Sequence, residues 1–108
     1  MKNPTAIQLG KYDINQKIIK TLADLESRTI LFSIKQNAQL TEDISRETNI
    51  PLSTVYKKLE KLQELSLVKI ERIKLSEHGR RMKYYKNRIS EVEISIRKLE
   101  PILILHKN

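Results

Sequence analysis

Lysine and arginine are the side chains that hold phosphate oxygens, and this chain concentrates them in one stretch. Residues 52–88 carry eleven of them, at positions 57, 58, 61, 69, 72, 74, 80, 81, 83, 86 and 88, against four glutamates. That stretch is +7 of the chain's net +8; residues 1–51 contribute +1 and residues 89–108 contribute nothing. A charge serving only solubility would be spread along the chain. A charge gathered in one segment, in a chain of pI about 9.8, is the footprint of a surface that lies on phosphates. Hydroxyl groups at Ser53, Thr54 and Tyr56 are interleaved with Lys57, Lys58 and Lys61. On a helix such a mixture can approach base edges with the hydroxyls and phosphates with the ammonium groups. Further along, Lys74, Arg80, Arg81 and Lys83 flank the turn Ser76-Glu77-His78-Gly79.

Other chemistry is thinly represented. The chain has no cysteine, which excludes disulfides, thiolate zinc sites and thiol nucleophiles. His78 and His106 are too few for a zinc site without carboxylates from elsewhere. Asp43 and Glu47 stand four residues apart on a helical segment, but such a pair is far more often solvated or matched by Lys and Arg than catalytic. No nucleophile–base pair and no glycine-rich phosphate loop is present, so the chain reads as no enzyme, with no cofactor and no metal. No apolar run reaches the ~18 residues that span a bilayer, and no apolar stretch follows Lys2 as a signal peptide requires. The expectation is a cytoplasmic protein.

The elements that must position these residues follow from periodicity. At 108 residues the chain is one domain with an Ile/Leu core, since it has no Trp and one Phe. Residues 1–12 read as a flexible arm broken by Pro4. Ile14, Ile18, Ile19 and Leu22, then Ile30, Leu31 and Ile34, predict one or two helices across 13–36, with a break near Leu25-Glu26-Ser27. Residues 36–39 connect. Thr41 is the expected N-cap of a short helix, with Glu42 and Asp43 in its first turn. That helix ends near Asn49, which tolerates a left-handed conformation. Pro51 starts a second helix, running to about Leu65, with Val55, Leu59 and Leu62 as its buried stripe. Ser45, Asn49 and Val55 supply the small residue, turn former and apolar anchor of a helix-turn-helix. Val68-Lys69-Ile70 and Ile73-Lys74-Leu75 alternate out of phase, which a bulge across Glu71-Arg72 would reconcile. Gly79 suits the positive φ of the turn, and residues 82–89 read as the return strand. Toward the C-terminus, Ile89, Val92, Ile96 and Leu99 have helical spacing. Val92, Ile94 and Ile96 also alternate; β-branched content and Pro101 favour two short strands.

Four pieces in this order resemble the winged helix-turn-helix regulators of the arsenical-repressor (ArsR) type. Leu22-Ala23-Asp24-Leu25-Glu26-Ser27-Arg28 resembles the first-helix signature of that family. Ser53-Thr54-Val55-Tyr56-Lys57-Lys58-Leu59 resembles its recognition helix, Leu65-Ser66-Leu67-Val68 its approach to the wing, and Gly79-Arg80-Arg81 to Tyr85 its return strand. The resemblance implies sequence-specific binding of double-stranded DNA, usually as a homodimer. Two features depart from that family: its thiolate metal-sensing motifs cannot exist here, and its closing dimerisation helix is replaced by a strand-like segment.

The expected fold is therefore α+β and mainly helical, a three-helix core plus a β-hairpin wing over residues 13–89, followed by a short dimerisation or capping element over 90–108. Ser53, Thr54, Tyr56 and Lys57 are expected in the major groove. Lys58, Lys61, Lys74, Arg80, Arg81 and Lys83 are expected on phosphates or the adjacent minor groove. Two alternatives are a winged-helix module that docks on proteins of the transcription machinery and an RNA-binding winged helix using Tyr84 or Tyr85 for stacking.

Overall fold

The computed structural model describes residues 6–108, with side chains from Asp13 onward. The first helix, α1, spans Ala6–Ala23, so it begins before Asp13 and inside the segment expected as an arm; residues 1–5 lie outside the described residues. It ends because Asp24 turns extended (φ −77°, ψ 121°) and caps the next helix, α2, Leu25–Ser33. The Asp24 carboxylate accepts from the Ser27 backbone N–H at 3.0 Å and from the Ser27 hydroxyl at 2.8 Å. Arg28 reaches back and donates to the carbonyls of Leu22 and Ala23, at 2.8 and 3.1 Å. Orphan groups at both sides of the corner are thus satisfied by one short motif. The break falls at Asp24, one residue earlier than the spacing suggested.

Helix α3, Thr41–Thr48, and helix α4, Leu52–Glu64, form the helix-turn-helix. Thr41 is not the cap: Leu40 holds that position without a side-chain bond, and Thr41 is buried in the first turn. Pro51 likewise sits at the N-cap of α4, and its carbonyl accepts from Thr54 and Val55 at 3.0 Å. Asn49 takes the left-handed conformation (φ 60°), and the Ser45 hydroxyl donates to the Ile50 carbonyl at 2.6 Å, locking the turn. The exit from α4 is a Schellman motif. The N–H of Leu67 bonds to the carbonyl of Leu62, and that of Ser66 to Gln63. It demands a positive φ at Ser66 (60°), where glycine is usual.

Strands β1, Val68–Leu75, and β2, Arg81–Asn87, form an antiparallel hairpin with Gly79 at φ 77° in its turn. The register shifts between Ile70 and Arg72, which leaves Glu71 as the bulge. With it, Val68, Ile70, Ile73 and Leu75 lie opposite Asn87, Tyr85, Lys83 and Arg81, so the two phases share one face. Gln39 adds a two-bond bridge to Tyr85 from the connector. The return strand stops at Asn87 and does not reach Ile89. Asn87 is 2% exposed; it donates to the Leu31 carbonyl and accepts from the Ile89 N–H, pinning the wing to α2. Ile89 instead opens β3, Ile89–Ser95, which pairs antiparallel with β4, Ile102–Lys107. Residues 90–108 are therefore two strands.

Helices α2, α3 and α4 pack on one another around Ile30, Leu31, Ile34, Ile44, Val55, Leu59 and Leu62, all essentially without exposure. The core is aliphatic, and Phe32 lies outside it, 41% exposed. Three packed helices and a β-hairpin make this a winged helix-turn-helix fold. No helix among the described residues is long and apolar enough to cross a membrane.

Candidate nucleic-acid interface

Burial of Val55, Leu59 and Leu62 fixes the phase of α4 and turns the opposite side to solvent. Ser53, Tyr56, Lys57 and Lys61 are exposed there, and Thr54 is half-buried. Tyr56, 45% exposed, is a surface residue. It stands at one wall of a cleft of about 660 Å³ between the helix-turn-helix and the wing. Arg46 of α3 and Arg80, Arg81 and Lys83 of the wing line the same cleft. Tyr85 contributes from the β2 side, and burial, with a smaller effect from Tyr56, pushes its phenol above the usual range. The Glu42 and Asp43 carboxylates also line the cleft, paired with Arg80 and Arg46, which leaves Arg81 and Lys83 beside Tyr56 to meet a phosphodiester strand while the tyrosine offers a hydroxyl to a base.

The remaining expected residues are distributed differently. Lys58 has a partner within the protein. Its ammonium is held by the Asp24 carboxylate at 2.8 Å, on the flank where α4 meets the start of α2. The Lys58 hydrogen bond is the largest of the influences that hold the Asp24 carboxyl at about 2, with the bonds from Ser27 next; the same contact raises Lys58. Through this contact Lys58 joins two helices. Lys61 lies beside Glu64 at 3.7 Å, an exposed and weak pair. Lys74 shares the ring of Tyr84 with Arg72, at 5.6 and 4.2 Å from its centroid, and none of the three lines the cleft. The alternating tyrosines thus divide: Tyr85 packs toward the core and Tyr84 carries cations.

Three participants escape sequence reasoning. Arg46 bonds to Asp43 at 3.1 Å and brings a cation to the cleft from α3. Glu42 pairs with Arg80 at 3.2 Å, tying the wing tip to the first turn of α3. Asp24 removes Lys58 from the exposed set. The Asp43–Arg46 pair also gives Asp43, one of the two α3 carboxylates four residues apart, a structural partner. Only the clustering of charge in residues 52–88 carried a signal; these three lie outside that stretch. Among the described residues no group of three His, Asp or Glu side chains converges as a metal site.

This arrangement defines the class: a winged helix-turn-helix domain with a cleft between its helix-turn-helix and its wing, lined by more cations than carboxylates. The chain belongs to the TFIIE alpha subunit family, whose model matches residues 13–103. No curated protein matches it. Among solved structures it is similar to NolR from Sinorhizobium fredii, with a TM-score of 0.63, 16% identity and 81% of each chain covered. It is also similar to the homodimeric winged helix-turn-helix DNA-binding domain (fragment 1–100) of Mb0332 from Mycobacterium bovis, a possible ArsR-family transcriptional regulator. There the TM-score is 0.63 and the identity 23%, over 81% of this chain and 75% of the other. At these identities the likeness is one of fold, and it agrees with the resemblance to ArsR-type regulators.

Proposed function

We propose that this domain is a sequence-specific regulator that binds double-stranded DNA as a homodimer, with α4 in the major groove and the wing on the backbone. One observation carries the reading: Tyr56, Arg46, Arg81 and Lys83 line one open cleft at the face where the chain's excess charge lies. Ser53, Thr54, Tyr56 and Lys57 occupy the first turns of α4, where a recognition helix meets base edges. Lys61, Arg80, Arg81 and Lys83 serve the backbone, as does Arg46. The Arg80–Glu42 pair is exposed, so a phosphate displaces Glu42 at little cost. Residues 13–89 form the binding unit and residues 90–108 the dimerisation element. NolR and the Mb0332 domain support the reading through their shared fold; the latter is homodimeric and DNA-binding.

The test is the salt dependence of duplex binding. The logarithm of the affinity should fall steeply and linearly with the logarithm of the salt concentration. Replacing Arg81 and Lys83 together with Ala should reduce the slope by up to about two while leaving thermal unfolding unchanged. An unchanged slope in a folded variant takes the wing out of the interface.

The family match favours a second reading, a module that docks on another protein of the transcription machinery, because the family is named for a subunit. That reading requires duplex binding to be weak and partner binding to be nearly flat in salt.

A further inference from the structure

The β3–β4 hairpin has a surface that the DNA reading does not use. Directly opposed residues of an antiparallel pair share a face. Val92 with Leu105 and Ile94 with Leu103 therefore form one face, and Val92 and Leu103 pack on the helical core. Glu93 with Ile104 and Ser95 with Ile102 lie on the other. Strand β4 is thus aliphatic on both faces from Ile102 to Leu105, with Ile102 57%, Ile104 47% and Leu105 40% exposed. Among the described residues β3 is the only strand paired with it, so one row of its backbone N–H and C=O groups is open. Exposed edges in folded proteins are ordinarily interrupted by charge, proline or a bulge. Here the first four residues of β4 carry none of these; Pro101 precedes the strand and charge appears at Lys107 at its end.

We infer that β4 pairs antiparallel with β4 of a second copy about a two-fold axis, making a continuous four-stranded sheet across the dimer. This rests on the homodimer of the proposed function and specifies its interface. Charge selects the occupant. Residues 89–108 have three cations and three carboxylates, whereas residues 52–88 carry +7. A neutral aliphatic edge has nothing for a nucleic acid or an acidic partner, and it is the segment along which two copies of a +8 chain meet without like-charge repulsion. An identical strand also meets the pattern by symmetry, aliphatic on both faces against aliphatic on both faces. Six large aliphatic side chains between Ile94 and Leu105 are exposed, three of them on β4 itself. Pairing also relieves a two-stranded sheet of its marginal stability, since three or more strands with an apolar face are self-supporting.

The experiment uses the full chain and its lack of cysteine. Light scattering should give a dimer for the native protein and a monomer for Ile104→Lys, with duplex binding of the native protein measured alongside. To separate lost pairing from a loosened hairpin, Leu103→Cys, Ile104→Cys and Leu105→Cys are oxidised in parallel. A two-fold axis at the strand centre places one of the three against itself, so one variant should form a disulfide-linked dimer and the others much less. A dimer that survives Ile104→Lys and gives no crosslink at any position overturns the β4 interface and leaves the homodimer standing. A native monomer that binds duplex DNA overturns both dimer statements and leaves the DNA reading standing.

Discussion

Two side chains on α4, both polar and only two residues apart, have different surroundings. Tyr56 stands in the cleft, and Lys58 is clamped by Asp24. Tyr56→Ala should therefore lower affinity for a preferred duplex more than for random duplex, by about 1–3 kcal/mol of discrimination, with unchanged thermal unfolding. Lys58→Ala should do the reverse, shifting unfolding while leaving discrimination intact. Equal effects of the two on discrimination would return Lys58 to the interface. The same clamp has a pH signature. The folded Asp24 carboxyl titrates at about 2, below its ordinary value, so its contribution is full above that ordinary value of 3.8 and is lost as pH falls toward 2. Both side chains are about one-third exposed, so screening reduces the contribution to about 1 kcal/mol. Urea unfolding of native protein and Asp24→Asn at pH 7 and pH 2.5 should show a gap that narrows in acid; a constant gap would deny the linkage. The sequence offered no sign of this pairing, because Asp24 and Lys58 meet only after α2 packs on α4.

At the scale of elements, what was legible is what local rules control. The bulge at Glu71 follows from two out-of-phase alternations, the turn at Gly79 from its need for positive φ, and the end of α3 from Asn49. The two terminal strands follow from β-branched residues and Pro101. Thr41 misled, because a hydroxyl before two acids looks like a cap while the chain enters α3 one residue earlier, at Leu40. Residues 82–89 read as one strand because nothing local marks the break after Asn87; it is made by the Asn87 side chain bonding across to Leu31. Removing it leaves the Leu31 carbonyl and the Ile89 N–H without those bonds in a buried setting. Asn87→Ala should destabilise the fold by about 2–3 kcal/mol, measured by denaturant titration. A loss below about 0.5 kcal/mol would mean the wing is held by its strand pairing alone.

For the whole molecule, the charge asymmetry read from the sequence becomes a division of surfaces. The +7 segment supplies α4 and the wing, while the neutral segment supplies an aliphatic hairpin. A dimer joined at that hairpin presents two basic clefts related by a two-fold axis, and its DNA site must carry the same symmetry. Selection of bound duplexes from a random pool by the native protein tests this directly. The account predicts enrichment of one site made of two inverted half-sites about one helical turn apart, about 34 Å from centre to centre. A pool that leaves selection as random as it entered would contradict sequence-specific recognition by this domain.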